Sequence, residues 1–271
     1  MDRLSLDANG LRFAARTWGQ GPNILLLHGF PDDADSFAPV GERLAKAGFR
    51  AVAPFMRGYA PTAVPPGSIT SLETLADDVA GLVQALGGVV GVVGHDWGAA
   101  AAWAAGIKHP AVVRRVLGLS VPPLDALLRG LTPAQVRRSA YMLAFQVPGI
   151  EAWVRARNFA LISRLWRDWS PDWTPPPGRL EAVKRTLASP GTLHAALGYY
   201  RGLLRSPALL HFVRPLGCPA RVLVGARDGC MAPEAFRRVP GVVVVPQAGH
   251  FLPLEAPDHV VQHAKELFST H

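Results

Sequence analysis

The residues most able to do chemistry stand in a short glycine-flanked run at 94–98, which reads Gly-His-Asp-Trp-Gly. This run matches the G-x-S-x-G nucleophile elbow, whose central side chain sits on a sharp turn between a strand and a helix, except that aspartate replaces serine. A carboxylate attacking an acyl carbon would form a mixed anhydride, which is higher in energy than an ester or amide substrate. Attack on a saturated carbon instead gives an alkyl ester that a second step can hydrolyse. Asp96 is therefore predicted to be an alkyl-accepting nucleophile.

The flanking sequence decides between this role for Asp96 and a simpler one, in which the aspartate only caps the helix that begins near Gly98. An apolar run at 89–93 precedes the motif, and an alanine-rich stretch at 99–107 follows it. These are the strand and the helix that the elbow requires. The context favours the nucleophile over the cap.

A nucleophile of this kind needs a base and an acid that orients the base, in the chain order nucleophile, acid, histidine. His250 follows the apolar run 242–245 through a short turn, which suits a base that activates water. Asp228 ends the strand-and-turn sequence 224–228, and its carboxylate can fix one histidine tautomer. Asp125, which follows the sixth strand, is an alternative orienting acid, because geometry rather than sequence position identifies that residue.

An oxyanion hole is predicted where the first buried strand ends, in the turn 28–31 with the sequence His-Gly-Phe-Pro. The backbone N–H of Phe30, together with that of Trp97 after the nucleophile, can point at an oxygen of Asp96. Negative charge develops on that oxygen when water attacks the ester, and losing one such donor typically costs about 3 kcal/mol. The alternative is that residues 28–31 form only a tight turn.

Composition argues against several other function classes. The chain of 271 residues has a formal net charge of +8, but its lysines and arginines are scattered, with no basic run and no nucleic-acid-binding motif. Cys218 and Cys230 show no metal-binding spacing and are too few for a disulfide framework. No secretory signal and no apolar stretch of about 18 residues is visible. We therefore expect a cytoplasmic protein that binds neither nucleic acid nor metal, needs no cofactor and does not insert into a membrane.

Apolar runs and helical patterns alternate along the chain, which is typical of an α/β protein with a mostly parallel central sheet. The sequence predicts an edge hairpin within 4–18, strands at 24–27, 50–54, 89–93, 113–119, 221–224 and 242–245, and helices at 36–48, 72–86, 98–109 and 257–269. From residue 122 to 214 the pattern becomes helical with proline-rich interruptions. We predict one core domain formed by 1–121 and 215–271, into which residues 122–214 are inserted as a helical lid.

Taken together, these motifs resemble those of the epoxide hydrolases, a family of α/β-hydrolases. The resemblance covers almost the whole chain and rests on residues 28–31, Arg57-Gly58-Tyr59, residues 94–98, Asp228 and Gly249-His250. It implies an α/β-hydrolase fold, with helices flanking the sheet and an inserted lid, and no cofactor. It also implies hydrolysis of a small apolar epoxide by water to a vicinal diol, through a covalent hydroxyalkyl ester on the aspartate.

The same resemblance implies two ring-opening tyrosines in the lid. The stretches 141–149 and 199–201 are similar to those that carry these residues in the family. This similarity implies the ring-opening role for Tyr141 and Tyr200 and leaves Tyr199 as a packing residue.

A haloalkane dehalogenase with the same aspartate nucleophile is the main alternative, and a non-catalytic ligand-binding homologue is a weaker one. A halide leaves unprotonated, whereas an epoxide oxygen leaves as a basic alkoxide that phenols, with a pKa of about 10, can protonate. Phe30 stands where haloalkane dehalogenases usually place a halide-binding Asn, and its side chain offers no donor. Phe30 and the two tyrosines favour the epoxide. The identity of the epoxide, the enantioselectivity and the oligomeric state, a homo-oligomer included, stay open.

Four tryptophans lie close together in the predicted lid, at positions 153, 166, 169 and 173. They could line an apolar substrate tunnel or seal the lid onto the core. We favour sealing, because aromatic rings dominate ordinary core packing.

Overall fold

An eight-stranded sheet forms the centre of the computed structural model, which describes residues 1–65, 67 and 70–269 apart from the side chains of residues 204 and 207. The strand order across the sheet is β1-β2-β4-β3-β5-β6-β7-β8. The strands are β1 Asp2–Ala8, β2 Leu11–Trp18, β3 Asn23–Leu27, β4 Arg50–Pro54, β5 Gly91–His95, β6 Val116–Leu119, β7 Ala220–Gly225 and β8 Val243–Val245.

The sheet is antiparallel at one edge and parallel elsewhere. The predicted hairpin is confirmed, since β1 pairs antiparallel with β2, which pairs antiparallel with β4. The strands from β4 to β8 in the spatial order all run parallel. Strand β3 is buried on both faces, which explains why its sequence is a continuous apolar run rather than an alternating one. The carboxyl ends of the parallel strands therefore meet at one edge of the sheet.

Helices flank the sheet and fill the segment between β6 and β7. They are α1 Ala38–Lys46, α2 Leu72–Ala85, α3 Trp97–Lys108, α4 Leu124–Arg129, α5 Pro133–Arg138, α6 Tyr141–Ala144, α7 Ile150–Trp169, α8 Arg179–Ala188, α9 Thr192–Arg205, α10 Leu252–Glu255 and α11 Pro257–Phe268. Helix α7 is interrupted by a kink at 156–159, where the backbone angles are not helical. Among the described residues, no helix is both long and apolar enough to span a bilayer.

Several predicted element boundaries are wrong by two or three residues. Helix α1 begins at Ala38 rather than Ser36, because a 3-10 turn at Ala34–Phe37 precedes it. Strand β6 begins at Val116 rather than at Val113. Val113 is fully buried, but its N–H bonds to the carbonyl of His109 instead of a neighbouring strand. Apolar character at this position reflects burial in a loop, which periodicity alone does not separate from a strand.

Residues 122–214 contain α4 to α9, and the described residues of this segment include no strand. All eight strands lie in 1–121 and 215–269. We call residues 122–214 the lid and the rest the core. The division into two structural units stays a prediction, and positions 270 and 271 of the predicted core lie outside the described residues.

Candidate active site

Asp96 lies at the tip of β5, in the middle of the sheet, and directly precedes α3. Its backbone is strained, with φ 51° and ψ −116°, and its side chain makes no capping hydrogen bond to the helix. A β-carbon added at Gly98 would collide with the carbonyl of Leu27, and one added at Gly29 would collide with Asp96 itself. Glycine at both positions lets the turn approach the end of β3. The geometry is that of an elbow presenting a carboxylate, and the helix-cap alternative is wrong.

Two backbone N–H groups face the carboxylate of Asp96. The N–H of Phe30 donates to Asp96 Oδ1 over 2.8 Å. Burial raises the pKa of Asp96, and His250 and the N–H groups of Phe30 and Trp97 offset this only in part. The same donors would stabilise negative charge that develops on this oxygen, as an oxyanion hole does.

His250 lies beside Asp96 on the loop after β8, and Asp228 orients its ring. Asp228 Oδ2 lies 2.9 Å from His250 Nδ1, and Asp228 Oδ1 accepts the backbone N–H groups of Cys230 and Met231, each over 2.8 Å. Because a carboxylate only accepts hydrogen bonds, Nδ1 carries the proton and Nε2 is left basic. His250 Nε2 lies 3.8 Å from Asp96 Oδ2. This arrangement places a base next to the carbonyl carbon of an Asp96 ester.

The electrostatics of His250 reflect two opposing effects. Burial lowers the pKa of its imidazole, but the negative charges of Asp228 and Asp96 outweigh burial and leave the pKa above its usual value. Asp125, the alternative orienting acid, instead pairs with Arg129 over 2.6 Å. The structure therefore brings His250 together with Asp228 and not with Asp125.

The loop that carries His250 is held by a second carboxylate, which the sequence did not reveal. Glu255 accepts the N–H groups of Gly249 and Phe251 over 2.7 and 2.8 Å, and the hydroxyl of Ser170 over 2.6 Å. Ser170 Oγ in turn accepts the N–H of His250 over 2.9 Å. Ser170 directly follows α7, so a lid residue holds the backbone of His250 in the core.

Tyr141 and Tyr200 come from different lid helices, α6 and α9, and their rings lie 5.8 Å apart. Both line the same cavity as Asp96, which holds about 160 Å³ of free space. The ring of Tyr200 packs edge-on against Trp97 and Phe30, at 5.0 and 5.5 Å between centroids. Burial raises the pKa of both phenols well above the usual value, so both are neutral hydrogen-bond donors.

The hydroxyls of these tyrosines are loosely held. Tyr141 Oη lies 3.8 Å from the sulfur of Cys230. Tyr200 Oη lies near Tyr141 and Trp97 but makes no hydrogen bond of normal geometry with the described residues. Tyr199 differs, since its hydroxyl donates to the Arg57 carbonyl over 2.8 Å, in keeping with a packing role.

Cys230 is a cavity residue that the sequence analysis did not place in the site. It is buried, lies two residues after Asp228, and lines the cavity beside Tyr141. Burial raises the pKa of its thiol well above the usual value, so the group is a neutral thiol. The only signal in the sequence was its position just after the predicted orienting acid.

The lid tryptophans pack rather than line the cavity. Trp166 stacks on Phe251 at 4.2 Å, and Trp169 packs edge-on against His250 at 4.9 Å. Trp173 stacks on Trp166 at 6.1 Å, while Trp153 is 58% exposed and seals nothing. Three of the four tryptophans thus seal the lid onto the core.

Comparison with known proteins shows which chains this protein is similar to. The family model for the alpha/beta hydrolase fold matches residues 22–257. Epoxide hydrolase 3 of Mus musculus is 30% identical over 94% of this chain and 73% of its own length. The AB hydrolase superfamily protein YfhM of Bacillus subtilis is 30% identical over 95% of this chain and 94% of its own. The crystal structure of an epoxide hydrolase from Vigna radiata superposes with a TM-score of 0.82, at 25% identity, over 99% of this chain and 98% of that one.

Proposed function

This chain belongs to the epoxide hydrolase family of α/β-hydrolases and is a hydrolase, and we propose that it opens its epoxide through a covalent ester on Asp96. One observation carries the proposal above the others. Asp96, Tyr141 and Tyr200 line one cavity, and His250 Nε2 lies 3.8 Å from Asp96 Oδ2. The proposed substrates are a small apolar epoxide and water.

In the first step, an oxygen of Asp96 attacks a ring carbon and the bond from that carbon to the epoxide oxygen breaks. The departing oxygen accepts hydrogen bonds from Tyr141 and Tyr200 and takes one proton from one of them, which leaves that tyrosine as a phenolate. Phenols suit this oxygen because an alkoxide is a much stronger base than a phenolate. The products of the step are a hydroxyalkyl ester on Asp96 and a hydroxyl in place of the epoxide oxygen.

In the second step, His250 Nε2 removes a proton from water, and the water oxygen attacks the carbonyl carbon of the ester. The negative charge that forms on the Asp96 oxygen is stabilised by the N–H groups of Phe30 and Trp97. Asp228 stabilises the imidazolium form of His250. When the bond between the carbonyl carbon and the alkyl oxygen breaks, the leaving oxygen takes the proton held by His250 and the vicinal diol is released. Asp96 is then a carboxylic acid, and transfer of its proton through solvent to the tyrosine phenolate restores every group.

A haloalkane dehalogenase remains the second candidate because it would use the same nucleophile. The side chain of Phe30 has no donor for a halide, and it packs against the ring of Tyr200. The phenols over Asp96 suit a basic oxygen better than a halide, which leaves unprotonated. These features favour the epoxide.

The test compares wild type, Asp96→Ala and Asp125→Asn on a panel of alkyl and aryl epoxides and chloroalkanes. We expect diol formation by wild type and Asp125→Asn, and a loss of at least about 1,000-fold in Asp96→Ala, because the nucleophile is removed. Halide release without diol formation would establish the dehalogenase instead. Diol formation unaffected by Asp96→Ala would overturn the ester mechanism, and ligand binding without turnover of either class would identify a non-catalytic homologue.

A further inference from the structure

The cavity above Asp96 does not end at the reacting groups but continues along α3. Ala100, Ala104 and Ile107 line it in turn, at a spacing that places them on one face of the helix. The seven residue steps from Ala100 to Ile107 correspond to about 10 Å of helix axis. The cavity is therefore elongated, with Asp96 at one end.

The opposite wall is also apolar. Helix α4 contributes Leu124 and Leu127, and Leu131 follows it with 51% of its surface exposed. Leu203 and Phe212 from the end of the lid complete the wall. We call the space between these residues and the face of α3 the apolar channel.

No charged side chain other than Asp96 lines the cavity among the described residues. Gln135, one of its few polar residues, has both ends of its amide engaged. Its oxygen accepts the N–H of Ala232 over 2.7 Å, and its nitrogen donates to Ser139 Oγ over 2.9 Å. A buried charge on a ligand would find no counter-ion in the apolar channel, and such burial is strongly unfavourable.

We propose that the apolar channel binds an uncharged alkyl tail of the epoxide, so that preferred substrates are terminal epoxides carrying an extended hydrocarbon chain. This inference rests on the proposed function and names its substrate class. The ring lies between Asp96 and the two tyrosines, and the tail passes Ala104 and Leu127 towards Leu131. Each methylene that moves from water into the apolar channel is expected to strengthen binding about fourfold.

The first experiment measures kcat/KM of wild type for 1,2-epoxybutane, 1,2-epoxyhexane and 1,2-epoxyoctane, and for 5,6-epoxyhexanoate. We expect kcat/KM to rise at least about 30-fold from the C4 to the C8 epoxide, which is less than the product of the gains for the added methylenes. The carboxylate of 5,6-epoxyhexanoate would lie inside the apolar channel, so its kcat/KM is expected at least about 100-fold below that of 1,2-epoxyhexane. A flat chain-length series, or equal use of the charged epoxide, would overturn the proposal.

Two variants test whether the alkyl tail of the epoxide lies in the apolar channel. Ala104→Leu narrows the apolar channel from α3, and Leu127→Phe narrows it from α4. Each is expected to lower the ratio of kcat/KM for the C8 epoxide to that for the C4 epoxide at least about tenfold, through lost methylene burial. Leu128→Phe is the matched control, because Leu128 is exposed and does not line the cavity. It should leave the ratio unchanged.

The outcomes separate this inference from the proposed function. If wild type turns over no epoxide in the series, the proposed function fails. If it turns over all of them but both narrowed variants keep the wild-type ratio, the function stands and the tail site is wrong. Having one variant on each wall keeps the test decisive when one of the two does not fold.

Discussion

The core half and the lid half of the site are held in different ways. In the core, Asp96, Asp228 and His250 are fixed by hydrogen bonds of 2.8 to 2.9 Å to backbone N–H groups or to each other. In the lid, the Tyr141 hydroxyl lies 3.8 Å from the Cys230 sulfur, and the Tyr200 hydroxyl makes no hydrogen bond of normal geometry with the described residues. The groups proposed to make and break the ester are thus held by hydrogen bonds, whereas the hydroxyls proposed to receive the epoxide oxygen are left available to bind it.

The largest expected effect comes from replacing His250, the proposed base of the core. We expect His250→Gln to lose at least about 1,000-fold in turnover while Asp96 is still alkylated, because only the hydrolysis step needs the base. Mass spectrometry should then show the added mass of the epoxide on the peptide that contains Asp96. The double variant with Asp96→Asn provides the control, since it should carry no adduct. Full turnover without any adduct in His250→Gln would contradict the division into two steps.

Removing a lid hydroxyl should have a smaller effect. Tyr141→Phe and Tyr200→Phe are each expected to lower the rate of ester formation about 100-fold, because each removes one of two donors to the leaving oxygen. Single-turnover measurements of ester formation check this.

The neighbouring tyrosine is a suitable control for both variants. Tyr199→Phe leaves the buried Arg57 carbonyl without its donor, so this variant should lose thermal stability but keep its rate of ester formation. Equal rates in all three variants would show that the lid hydroxyls do not assist ring opening.

Removing the contact between lid and core at Ser170 should lower activity less than replacing His250 or a lid tyrosine. Ser170→Ala removes one of two acceptors for the His250 N–H, the other being the Trp169 carbonyl at 3.2 Å, and it also removes a donor to Glu255. We expect kcat to fall about tenfold, which corresponds to one hydrogen bond to a charged group, with KM little changed. A steady-state fraction of Asp96 ester above that of wild type would identify the slowed step as hydrolysis. A matching fall in kcat and KM, with no extra ester, would indicate a structural role only.

The smallest expected effect is a shift in the titration of His250. Burial lowers its pKa, and Asp228 and Asp96 together raise it above the usual value. Because an Asp96 ester is uncharged, alkylation removes one of the two charges that favour the imidazolium. His250 should therefore titrate at lower pH in Asp96→Asn than in wild type, as measured by NMR. When hydrolysis limits turnover in wild type, kcat should fall as the pH drops through the pKa of His250, because a protonated imidazole cannot take a proton from water. An unchanged or higher pKa in the variant would exclude this coupling.

Local sequence predicted much of the core half. Asp96, Asp228 and His250 each follow an apolar strand, and parallel strands bring their carboxyl ends to one edge of a sheet, so proximity followed from the order of elements. The positions of Tyr141 and Tyr200 relative to Asp96 came from family resemblance alone. Nothing local to α6 or α9 shows where their side chains meet.

What the sequence missed depends on contacts between distant segments. Ser170 and Glu255 are 85 positions apart and join at the His250 loop. Cys230 lines the cavity only because the Asp228 turn faces α6. The predicted strand ends are wrong where a buried loop residue such as Val113 is as apolar as a strand residue.

The bond from Ser170 to the His250 loop has a consequence for protein engineering. Exchanging residues 122–214 for the equivalent segment of a relative would bring new walls to the cavity, but it would also replace the hydroxyl that accepts the backbone N–H of His250. A chimaera of this kind should retain Trp169 and Ser170 with the recipient's own His250 turn. Grafts that omit this pair would confuse altered selectivity with a weakened base.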